Sequence, residues 1–285
     1  MRGRKGPRPG AAARAGDGLK LHRRPVRADG RDYNVITLRP GSRARFSTNR
    51  FHETWHILSD VHGARLLGRL LWGLSFQRLP GTAVVIDRPH LDPNPFDAEP
   101  ADPIVLVPAH LTTLKRQGVR ELLRRLAARA PSAGTVRWHT WGLDAELTRT
   151  RERVRECREL RRWPAWEPPA ADHGAAVERI GGALVFRAPP ARLREWAVDV
   201  AMLGDDARHG MDYVYLEASD SPLRWGDGEV QIFPDFRRRV AVAGIARREV
   251  LADLPEGSAP ADVNARIWRH NTAVRARGLP RIVRG

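Results

Sequence analysis

The sequence predicts an α/β protein: a mixed, partly parallel sheet with flanking helices, a C-terminal α+β lobe, and a disordered basic N-terminus. Three observations predict it. Short uninterrupted apolar runs, TAVVID at 82–87 and IVLV at 104–107, have the composition of strands covered on both faces. Segments with apolar residues at helical spacing alternate with these runs. Residues 1–31 are rich in Arg, Gly, Pro and Ala and nearly lack large apolar side chains, so they have little to bury against the cost of ordering.

After that tail, Tyr33 to Leu38 (YNVITL) is a strand ended by the turn signal Pro40-Gly41. Phe51 to Leu58 fits two templates. Phe51, Glu53, Trp55 and Ile57 alternate as in a strand, while Phe51, Trp55 and Leu58 suit a helix capped by Asn49. Ala64 to Gln77 places Leu66, Leu67, Leu70, Leu71 and Leu74 on one broad face, a helix that covers a sheet. Leu79-Pro80-Gly81 breaks it before the strand Thr82 to Asp87, and the whole has the layout of a βαβ unit with a right-handed crossover. A Pro- and Asp-rich loop leads to the strand Ile104 to Val107. A helix over 117–130, a strand over 135–141 and a charged helix over 144–162 complete a first lobe, 32–162.

Trp163 to Ala175 has the Pro density of a linker. The second lobe, 176–285, holds a strand over 178–187 with a bulge at Gly181-Gly182, and a helix from Pro190 to Gly204. Strands at 211–217 and 229–233 follow, then two closing helices, 235–254 and 260–277. The alternative is that both lobes pack as one domain. Trp72, Trp196 and Trp268 fall on helices beside apolar neighbours and are expected in the core.

Of 285 residues, 42% are hydrophobic, enough to build a core. The single cysteine, Cys157, has no partner for an internal disulfide, and no run reaches the roughly 20 apolar residues of a spanning helix. The expectation is a soluble cytoplasmic protein. The net charge of +16 is concentrated at the ends: residues 1–31 carry ten Arg/Lys against two Asp, and residues 263–285 carry six Arg and no acid. The middle, with 33 basic and 31 acidic residues, is nearly balanced. Basic termini suit nucleic acid or an acidic partner, held through phosphates or carboxylates without sequence readout.

Chemistry concentrates at 51–63, FHETWHILSDVHG. His52, Glu53 and His56 form H-E-x-x-H, and His62 extends it, so HETWHILSDVH resembles the metzincin motif H-E-x-x-H-x-x-G-x-x-H. That resemblance implies His52, His56 and His62 as zinc ligands and Glu53 as general base. It requires a helix, which puts positions i and i+4 on one face, and it departs from the family at Ser59, where the motif has Gly. Ser59 to Gly63 is similar to the D-x-H-G motif of calcineurin-like metallophosphoesterases, which implies Asp60 and His62 as ligands of a first metal; the family's later motifs are absent. Independently of either family, three parallel strands would carry Asp60 and His62, then Asp87 and His90, then His110, on one carboxyl-end rim, where open α/β sheets bind ligands. Such a rim suits a divalent metal and metal-assisted hydrolysis, with Asp60 and His62 as the catalytic candidates. The competing class is a non-catalytic nucleic-acid-binding or acidic-partner-binding accessory protein.

Overall fold

A computed structural model describes residues 18–128, 132–162, 174–205, 210–216, 227–254 and 259–278. In chain order its elements are β1 (Lys20–Ala28), β2 (Arg31–Thr37), β3 (Phe46–Phe51), β4 (Thr54–Ser59), α1 (Val61–Leu74), β5 (Thr82–Ile86), β6 (Ile104–Pro108), α2 (Arg116–Ala127), β7 (Gly134–Arg137), α3 (Leu143–Leu160), β8 (Ala176–Ile180), β9 (Ala183–Ala188), α4 (Pro190–Met202), β10 (Asp212–Tyr215), β11 (Glu229–Ile232), α5 (Phe236–Ala252) and α6 (Pro260–Arg277). They form two mixed sheets with flanking helices, one ordered β7-β1-β2-β5-β6-β9-β8 and the other β10-β11-β4-β3.

The unbroken apolar runs take the central positions of the large sheet, as their composition requires. β5 and β6 are buried along their whole length. Val35, Val85, Val105 and Val185 face α2 through Val119, Leu122 and Leu126. The alternate residues Ile36, Val84, Leu106 and Phe186 pack against α1 and α4, whose other sides meet Ile57, Val230 and Ile232 of the small sheet. The two helices thus lie between the sheets. They approach closely at Gly68, where a Cβ would stand 2.7 Å from the Ala197 carbonyl oxygen and the Ala201 methyl. The small sheet's other face carries Leu58, which packs with Phe233 and Phe236 beneath the α5–α6 pair.

Four sequence expectations change. Part of the 1–31 tail is a strand: β1 pairs with β2 and β7 and buries Leu21, Val26 and Ala28, while residues 1–17 lie outside the described residues. Its outward Arg side chains hide this pattern. Pro25 is tolerated because the β7 ladder ends at Arg23, leaving that side of the strand without a strand partner among the described residues. The β1–β2 turn, Asp29-Gly30, has φ 49° and 70°, the left-handed pair of a two-residue hairpin.

The second correction concerns the βαβ unit. β4 and β5 belong to different sheets, so α1 connects two sheets and makes no crossover within one. Third, Gly181-Gly182 is a hairpin turn between β8 and β9, φ 59° and 88°, not a bulge inside one strand. Fourth, the two lobes share both sheets: β9 runs parallel to β6, and β11 parallel to β4. Residues 163–173 of the expected linker lie outside the described residues. Trp72 and Trp196 are core residues, but Trp268 is 53% exposed. Among the described residues no helix is long and apolar enough to cross a membrane.

Candidate functional site

The H-E-x-x-H segment is a β-hairpin. β3 and β4 pair antiparallel from Phe46↔Ser59 to Phe51↔Thr54, which leaves His52 and Glu53 as the two-residue turn. Both have positive φ, 48° and 65°, a backbone that favours glycine. Thr48, Thr54, Trp55 and Ile57 are β-branched or aromatic, and the alternation they supply outweighs the helical spacing. His52 and Glu53 are exposed at the tip, His56 is buried in β4, and His62 is exposed on α1. The zinc triad with Glu53 as its base is therefore not assembled.

The expected rim fails for a related reason. β5 and β6 are antiparallel, so Asp87 and His110 follow strands that end on opposite sides of the sheet. Asp60 follows β4 in the other sheet. Asp60 caps α1, its Oδ1 accepting from the Gly63 N–H at 2.8 Å. His90 is 1% exposed, its Nδ1 has no partner among the described residues, and burial, assisted by Arg45, lowers its pKa to about 4. Burial raises the pKa of Asp87. Beside exposed His110, Thr112 is buried and donates to the Thr82 carbonyl. Arg45 brings a positive charge to His90 and to Asp92, and Asp92 also feels Asp60. Among the described residues no group of three or more His, Cys, Asp or Glu has a geometry that would hold a metal ion.

Two other sites are present. The first is a basin of about 1180 Å³ against the N-terminal half of α1. Lys20, Arg39, Arg43, Arg65 and Arg69 line it together with His22 and His62, and among the described residues no carboxylate does. All five Lys/Arg side chains are exposed. Arg65 and Arg69 have acids nearby, Asp205 at 3.9 Å and Asp144 at 3.7 Å, whereas Lys20, Arg39 and Arg43 pair with no carboxylate among the described residues. Burial, with Arg24 and Arg39 close by, lowers the pKa of His22.

The second is a cavity of about 370 Å³ between the outer face of the small sheet and the α5–α6 pair. Asn49, His56 and Gln231 line its floor, and His56 and Asn49 belong to a polar row that crosses four strands in register, Tyr215, Glu229, His56 and Asn49. His56 Nε2 lies 3.1 Å from Glu229 Oε2, with side chains only 4% and 6% exposed, and His56 Nδ1 is 2.7 Å from Asn49 Oδ1. Gln231 donates to Glu229 Oε1 at 2.9 Å. Both imidazole nitrogens are engaged, so His56 is an orienting group here and not a free base. Phe51, Phe96, Phe233 and Trp268 form the walls, and Phe51 and Trp268 are 44% and 53% exposed.

Of the sequence-expected residues, the structure brings His62 to the basin and His56 to the cavity and separates the rest. The basin escaped notice because Lys20, Arg39 and Arg65 lie far apart in the chain. The cavity's only sequence signal was His56. No protein-family model, no curated protein and no solved structure matches this chain.

Proposed function

We propose that the protein is a non-catalytic binding protein for a polyanion, with the phosphodiester backbone of nucleic acid as the ligand of first choice. The observation that supports this is the basin walled by Lys20, Arg39, Arg43, Arg65 and Arg69, with no carboxylate among its described lining residues. Five exposed cations facing one concavity repel each other in the free protein, and an anion relieves that repulsion while releasing its own counterions. Arg65 and Arg69 sit one turn apart on α1 and point along one face, a spacing suited to successive contacts on a polymer. Asp60 already satisfies the Gly63 N–H, so the guanidinium groups, not the helix terminus, would carry recognition. Arg2, Arg4, Lys5, Arg8 and Arg14 precede the basin wall in sequence and extend the basic character expected of the termini.

The test is fluorescence anisotropy of the full chain with labelled 20-nucleotide DNA and RNA from 50 to 300 mM salt. Binding is expected to weaken steeply, with log K falling by about 0.9 per log unit of salt for each phosphate neutralised. The triple variant Arg39→Glu, Arg43→Glu, Arg65→Glu should bind at least tenfold more weakly with a shallower slope, and removal of residues 1–17 should weaken binding less. No binding at 50 mM salt, or binding indifferent to the triple variant, would overturn the proposal.

A further inference from the structure

The cavity beneath α5 and α6 calls for a different ligand from the basin, and its walls narrow the choice. Its aromatic walls meet edge to face, Phe51 with Trp268 at 76° and Phe96 with Phe233 at 84°. The His52 ring stacks on one face of Phe51 at 3.9 Å, which leaves the other face of Phe51 and the exposed Trp268 ring for a flat ligand. Large apolar side chains left exposed around a concavity mark a binding mouth, and here Phe51, Met211, Tyr213 and Trp268 are all more than a third exposed.

A cage of aromatics often receives a cation. The charges here disfavour one. Arg50 and Arg239 line the cavity, and Arg239 already lies 4.6 Å over the Phe233 ring. Asp97 is the acid among the lining residues, and Glu229 behind the floor is already engaged by His56 and Gln231. The polar floor supplies what a neutral ligand needs. Asn49 gives its oxygen to His56 and Gln231 gives its amide N–H to Glu229, so Asn49 Nδ2 and Gln231 Oε1 have no partner among the described residues. One donor and one acceptor, held in place by a buried His–Glu pair, stand at the base of an aromatic slot.

We infer that this cavity binds a flat, uncharged heteroaromatic ring with a hydrogen-bond acceptor and donor side by side on one edge, the chemistry of a nucleobase, stacked against Trp268 and Phe51 and read by Asn49 and Gln231. A free nucleoside and an unstacked base in a single strand both present such a ring. This assignment is independent of the basin, because it uses none of the basin's cations.

The experiment is isothermal titration of the full chain with thymidine and guanosine, with 1-methylindole as a flat ring lacking the polar edge, and with the single strand dT10. At least one nucleoside should bind, and 1-methylindole should bind at least tenfold more weakly. Trp268→Ala and Gln231→Leu, both at partly exposed positions, should each weaken the nucleoside roughly tenfold, within the range of single base-stacking losses. Their circular dichroism should match that of the parent. The Arg39→Glu, Arg43→Glu, Arg65→Glu variant should keep nucleoside affinity, which separates failure here from failure of the basin reading. If dT10 binds more tightly than thymidine and Trp268→Ala weakens both, the base is taken from a strand; if thymidine alone binds, the source is the free nucleoside. Absence of binding by every nucleoside and by dT10, insensitivity to Trp268→Ala, or equal affinity for 1-methylindole would overturn the inference.

Discussion

The basin and the cavity are built by opposite means. The basin is open and its cations are solvated, so each of them contributes little to folding. The cavity rests on a buried, mutually hydrogen-bonded row whose members depend on one another. The difference separates what a residue does for the fold from what it offers a ligand. Basin side chains should be replaceable with little structural consequence, while the cavity's floor is expected to serve structure and recognition together. Recognition should differ likewise, steeply salt-dependent in the basin and nearly salt-indifferent in the cavity.

The sharpest way to break the comparison is at Glu229. Glu229→Ala leaves His56 buried without its carboxylate, and chemical denaturation should show a loss of about 3–5 kcal/mol. Glu229→Gln, which keeps a hydrogen-bonding group, should lose less. A loss under 1 kcal/mol for the alanine would mean that the floor is no more structural than the basin.

Next in size is the pH response of buried His90, which feels the Arg45 charge. The folded pKa of about 4 is below the ordinary 6.5, so the unfolded chain takes up a proton first. The stability this histidine contributes is therefore present above pH 6.5 and is lost as the pH falls from 6.5 to about 4. The expected loss is about 3 kcal/mol at 1.36 kcal/mol per pH unit. Urea titrations of the parent and His90→Gln over that range would measure it, and identical slopes would refute it.

At the tip of the β3–β4 hairpin, Glu53 holds a positive φ of 65°. Glu53→Gly should raise stability by about 1 kcal/mol, because glycine adopts that backbone without the Cβ clash. A destabilised variant would mean that the Glu53 side chain makes a contact that outweighs the strain.

The smallest structural effect belongs to the basin. Arg39→Glu and Arg43→Glu should each change the unfolding free energy by no more than about 0.5 kcal/mol, while lowering polyanion affinity. A thermal midpoint that falls sharply would show these arginines to be part of the fold.

Local physics was legible in the sequence. Residues 82–86 and 104–107 of the apolar runs are fully buried strand, the Leu-rich stretch after Gly63 is a helix against a sheet, and Pro260 opens the last helix as its fixed φ suits. β1 was hidden because Arg-rich outward positions mask Leu21, Val26 and Ala28, although Asp29-Gly30 is a hairpin signal in plain view. Strand existence follows from side chains that alternate within a few residues; strand direction and sheet membership do not. Nothing local tells whether β5 runs with β6 or against it, or that β4 pairs with β11 some 170 residues later.

For that reason the sequence by itself determined an α/β chain with basic ends and a histidine-bearing segment at 51–63. Which carboxylates and imidazoles meet was decided only by long-range pairing. The antiparallel β5–β6 pair parted Asp87 from His110, and the parallel β4–β11 pair brought Glu229 to His56. A one-residue change of register in either ladder would turn these side chains to the other face, so contacts of this kind are set by the assembled sheets and by no segment alone.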